Sequence, residues 1–98
     1  METLFEIDTQ NIQKCKNLLL KDEIVSKGSI TFREGRSLGF DREGYYCYIS
    51  GSEEVCERAK DLIKSIGKEV RKEERDEIIQ RMKEEEESAM SGFGSIFG

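Results

Sequence analysis

The chain has 98 residues, 21 acidic against 16 basic, with a net charge of −5 and no histidine, proline or tryptophan. A chain of this length makes one domain with a modest core, too small for a deep cleft roofed by a second domain. No stretch approaches the ~20 apolar residues of a bilayer span. Without histidine, acid–base catalysis would rest on Asp, Glu, Lys, Tyr or Cys.

Met1-Glu2-Thr3-Leu4-Phe5-Glu6 lacks a basic region followed by an apolar block, so no secretory leader is expected and cytoplasmic residence is the expectation. Thr3–Ile7 predicts a short strand, rich in β-formers. Asp8 or Thr9 then offers an oxygen to cap a helix. Ile12, Cys15, Leu18 and Leu19, and with them Leu20, recur at helical spacing on one face, while Gln13, Lys14, Lys16, Asn17 and Lys21 fall opposite. That helix is expected to end between Asp22 and Gly28.

Ser29–Arg33 alternates polar and apolar residues, as a half-buried strand does. Residues 34–39 and 41–44 read as loop and turn. Two layouts stay open: 29–33 paired with 45–50 across a long loop, or a second strand extended to Phe40 with a bulge. Tyr45–Ile49 is aromatic and β-branched, the clearest strand in the chain. Gly51 breaks it, and Ser52-Glu53-Glu54-Val55 resembles a capping box with acids where the helix dipole favours them. Val55, Ala59, Leu62, Ile63 and Ile66 form the stripe that docks this helix on a sheet, with Cys56 at its border.

These elements give an α+β fold: a three-stranded sheet in the order β-α-β-β-α, packed by two helices, with the second helix extended into a charged C-terminal arm. The expected division is a core over 1–67, an acidic helical arm over 68–90 and a Gly-rich apolar tail over 91–98. Gly67 is the one break before Gly92. Cys15, Cys47 and Cys56 lack CxxC spacing and fall on apolar faces, so buried thiols are expected and no metal site or cofactor.

The segment Tyr48-Ile49-Ser50-Gly51-Ser52-Glu53-Glu54-Val55-Cys56-Glu57-Arg58-Ala59-Lys60-Asp61-Leu62-Ile63 resembles the closing strand and helix of KH-type RNA-binding domains. Those domains clamp a nucleic-acid backbone with a GXXG loop. Between Ile12 and Ile30 this chain has only Gly28, so no KH functional residue carries over, and the resemblance bears on fold. The same ending also suits ferredoxin-like domains, through the same cap, amphipathic face and sheet docking.

Two candidate surfaces follow. From Glu73 onward the chain carries eight carboxylates against three basic residues and holds the whole net charge. It ends in an uncharged segment bearing Phe93, Ile96 and Phe97, suited as apolar anchors for a protein partner, a ribonucleoprotein or a second copy. Burying the three would contribute roughly 5–8 kcal/mol, against the cost of ordering a Gly-rich segment. The alternative surface is for single-stranded RNA. Lys27, Arg33, Arg36 and Arg42 lie near Phe32, Phe40, Tyr46 and Tyr48, pairing phosphate neutralisation with base stacking. Read blandly, those aromatics are core and the arginines keep a loop soluble. Glu84–Glu87 read as a solvated face, lacking the geometry of a calcium loop. No catalytic residue, membrane contact or small-molecule substrate is expected.

Overall fold

The computed structural model describes every residue except Arg42 and Gly98, and the side chains of residues 2–85 other than Arg42, together with Met1. In chain order the elements are β1 (Glu2–Ile7), α1 (Ile12–Lys21), β2 (Ser29–Glu34), β3 (Tyr45–Ser50), α2 (Glu53–Ile63), β4 (Gly67–Glu69) and α3 (Lys72–Phe97). The four strands form one sheet in the order β2-β3-β1-β4, antiparallel throughout. The connectivity through β4 is the split βαβ pattern of ferredoxin-like domains, with α3 added after it.

The α+β class agrees with the sequence reading, and the strand count does not. The expected three-stranded sheet has a fourth strand, and the second helix does not extend into the arm. It ends at Ile63, β4 follows, and α3 is a separate helix. Lys68 and Glu69 are poor strand formers, so propensity does not mark β4. It forms because β1 offers an unpaired edge: Phe5 pairs with Glu69, Glu6 with Lys68 and Ile7 with Gly67, and the Val70 amide donates to the Leu4 carbonyl at 2.9 Å. Gly67 permits the approach. A side chain there would run into Ile7 Cδ1, and would lie 2.8 Å from Ile63 Cγ2 and 2.9 Å from the Glu6 carbonyl. β4 straddles the division expected between residues 67 and 68.

Of the two layouts open for the hairpin, the long-loop pairing is the one formed. Ser29–Glu34 aligns with Ser50–Tyr45, and residues 35–44 connect them. The Gly35 amide donates to the Gly44 carbonyl at 3.0 Å, closing the loop at its base. Gly44 has φ 107°, a conformation that costs glycine least because it has no Cβ.

Side chains alternate across the sheet, and both faces are covered. On one face Phe5, Ile7, Cys47 and Ile49 pack with Cys15 and Leu19 of α1 and Val55, Ala59 and Ile63 of α2. On the other, Leu4 and Tyr46 pack with Val70, Ile78 and Met82, and with Leu38 from the long loop. The Ser52 hydroxyl accepts from the Val55 amide at 3.2 Å, the expected cap of α2. Asp8 makes no side-chain cap: a 3-10 turn over Thr9–Asn11 leads into α1 instead. Leu20 sits away from the core, 60% exposed.

Candidate interaction surface

The C-terminal helix carries the candidate surface. Its first part is structural: Ile78, Ile79 and Met82 are buried, each contributing roughly 1.5–3 kcal/mol by leaving water. These residues, with Val70, are the thinly spaced apolar positions of a segment read from sequence as a charged arm. Ile78 and Met82 are four apart, the spacing that places both on one helical face. The opposite side of the same turns is polar, with Glu73, Glu74, Asp76, Glu77, Arg81, Lys83, Glu84 and Glu85 all exposed.

Two contacts pin α3 to the body. The Arg81 guanidinium carbon stands 5.4 Å from the centroid of the Phe40 ring, and Phe40 meets Tyr46 edge-on with centroids 5.9 Å apart. At the other end Arg75 Nη1 donates to the Glu2 carbonyl at 3.4 Å. Beyond Met82 the helix runs unbroken to Phe97, fifteen more residues or ~22 Å of axis. Phe93, Ile96 and Phe97 lie on this final stretch, and their side chains fall outside the described residues.

Among the described candidate nucleic-acid residues, Lys27 stands apart from Arg33 and Arg36. Lys27 is exposed in the 3-10 turn before β2, and Arg33 is half-buried near the far end of that strand. Arg33 Nη1 donates to the Phe32 carbonyl at 3.2 Å, and Arg36 pairs with Glu43 at 3.2 Å. Arg42 lies outside the described residues. The aromatics are largely withdrawn: Tyr46 is 3% exposed beneath α3, Tyr48 is half-buried, and Phe32 packs against the α1–α2 core with Lys16 Nζ 5.5 Å from its ring centroid.

The thiols are buried and free, as expected. Cys15 and Cys47 share a side-chain hydrogen bond across the α1–β3 interface; that bond and burial push the Cys47 thiol well up. Burial likewise raises Cys56, and burial followed by a hydrogen bond to Glu2 raises Tyr48. Asp22 moves the other way. The Val25 amide is the main cause holding its carboxyl below the usual carboxylate range; desolvation opposes it, and the Arg58 guanidinium and the Ile24 amide add to the lowering. These shifts trace to packing and capping. Among the described residues no group of three or more Cys, Asp or Glu is placed to hold a metal ion, and no helix is long and apolar enough to cross a membrane.

One feature was missed from sequence. Lys14, Asn17, Leu18 and Lys21 follow the i, i+3, i+4, i+7 pattern along α1 and, with Asp22 and Leu62 of α2, line a shallow groove of about 570 Å³. The helical pattern puts Leu18 on the apolar face and the lysines opposite it, yet they line one surface together. Compared with family models, curated proteins and solved structures, the chain matches none of them.

Proposed function

We propose that this protein is a small non-catalytic interaction module that docks a protein or ribonucleoprotein partner through its acidic helix and apolar C-terminal residues. The observation carrying this reading is the division of labour along α3. One part is anchored by Ile78, Ile79 and Met82, and an unbroken helix then carries Glu84–Glu87 and Phe93, Ile96 and Phe97 onward from that anchor. A helix with one end fixed in a core holds its remaining turns in a set direction, which lowers the ordering cost of binding. Carboxylates near apolar anchors steer a basic partner and then hold it.

The nucleic-acid alternative, which the KH-like ending implies, draws on the exposed Lys27 and Arg36. It would need the sheet surface that α3 covers, and an acidic chain repels a polyanion.

The test replaces Phe93, Ile96 and Phe97 together with Ser in the full chain. Association is then compared with wild type by chemical cross-linking in extract and by sedimentation of the pure protein. Loss of association in the triple variant, with unchanged circular dichroism, supports docking. Unchanged association in both assays would sink it.

A further inference from the structure

The groove between α1 and α2 has an apolar floor, Leu18 and Leu62, and a basic border, Lys14 and Lys21. Helix α1 has no acidic residue at all between Ile12 and Lys21. Neither Lys14 nor Lys21 has an ion-pair partner among the described residues. Asp22, at one end, is already engaged: it accepts from the Ile24 and Val25 amides at 3.0 and 3.1 Å and from Arg58 Nε at 2.9 Å. The exposed acids Glu53, Glu57 and Asp61 of α2 line a separate depression with Ile24 and Arg58. An apolar strip bordered by unpaired lysines calls for an occupant with apolar side chains and carboxylates on one short segment.

This chain contains such a segment. Glu84, Glu85, Glu86 and Glu87 precede Phe93, Ile96 and Phe97, apolar positions whose spacing of three and four a helix brings to one side. Lys14 and Lys21 are seven residues apart, ~10 Å along α1, with Leu18 between them. The segment cannot occupy its own groove. α1 and α2 pack on one sheet face, and α3 is anchored on the opposite face by Ile78 and Met82. A helix continuous from Lys72 to Phe97 does not turn around a sheet edge.

We propose that the C-terminal end of α3 of one molecule docks in the α1–α2 groove of a second copy. This rests on the docking reading above and names the partner. The contact is heterologous, joining two different patches, so each bound molecule still offers a free groove or a free helix end and assembly proceeds head to tail.

The test uses full chains throughout. Variant one, Lys14→Glu with Lys21→Glu, alters only exposed side chains and leaves the helix end intact. Variant two, Phe93→Ser with Ile96→Ser and Phe97→Ser, leaves the groove intact. Wild type should self-associate with concentration and weaken about tenfold between low and high salt, because the pairs are exposed and screened. Each variant alone should sediment as a monomer. Mixed, the two should form a 1:1 pair and nothing larger, since each supplies the half the other lacks. Self-association of variant one at wild-type strength would overturn the groove assignment, as would a mixture that stays monomeric or a wild type monomeric at every concentration. If variant two loses cross-links to another protein while wild type stays monomeric, docking survives and self-docking falls. If variant two loses nothing, both fall.

Discussion

Arg81 lies over the ring of Phe40 with its guanidinium carbon 5.4 Å from the centroid, joining the C-terminal helix to the long loop between β2 and β3. Phe40 in turn meets Tyr46 of the sheet, so loop, helix and strand meet at one place. Exposed cation–π contacts of this kind contribute ~0.5–1 kcal/mol. Arg81→Ala should therefore lower stability by about that amount in urea unfolding, whereas Arg81→Lys should recover part of it. A change indistinguishable from zero would make the contact incidental.

Beneath that contact the helix is held by apolar burial, and the cost of removing it is larger. Ile78 is 4% exposed, and truncating it to Ala should cost ~2–4 kcal/mol, in the range for a buried Ile. Glu84→Ala, on an exposed position of the same helix, should stay within ~0.5 kcal/mol. Equal small effects at both positions would mean that the first turns of α3 are as dispensable as the sequence pattern made them look.

Acid should loosen the α1–β2 connection through Asp22. Its carboxyl is held below the ordinary range in the folded chain, first by the Val25 amide and then by Arg58 and Ile24. A depressed folded-state value stabilises the fold above the unfolded-state value, and this is lost as pH falls through the folded one. Asp22→Asn should therefore be less stable than wild type near neutrality, and the difference should shrink as pH drops below the usual carboxylate range. A difference independent of pH would show that the carboxylate's charge plays no part.

Much of this architecture could be read in advance. Ser52 and its acidic neighbours announce the start of α2, and Tyr45–Ile49 announces β3, because a cap and a β-branched aromatic run act locally. β4 could not be found that way. Gly67, Lys68 and Glu69 become a strand only because Ile7, Glu6 and Phe5 offer an open edge, a relationship sixty residues away in sequence. The role of α3 was obscured for a related reason. Val70, Ile78 and Met82 look sparse among charges, and their importance appears only once Leu4 and Tyr46 are seen to need a cover. The groove is harder still: Leu18 belongs to the α1 pattern, but only its place opposite Leu62 makes it part of the groove's floor.

Gly67 offers a direct check on β4. Gly67→Ala would press a methyl into Ile7, Ile63 and the Glu6 carbonyl, so a loss of ~1–3 kcal/mol is expected, with amide exchange accelerating at Val70. Unaltered exchange would show that the edge pairing is not strained by the added methyl.

The three thiols supply a probe of the core that leaves the surface untouched. Cys15, Cys47 and Cys56 are each fully buried, so a thiol reagent must wait for the structure to open. Labelling of the native protein should be on the order of a hundredfold slower than in denaturant. Rapid labelling of Cys47 in particular would contradict its place between α1 and the sheet.

The cover that α3 lays over Leu4 and Tyr46 also decides where this chain tolerates shortening. A protease cutting just before Lys72 would leave all the earlier elements present yet strip one side of the sheet, turning a hidden apolar patch outward. Such a fragment would clump instead of persisting as a smaller soluble unit. Trimming after Met82 would leave the patch sealed, so the shortest chain that keeps both sheet faces covered includes the very turns that look most like a tether.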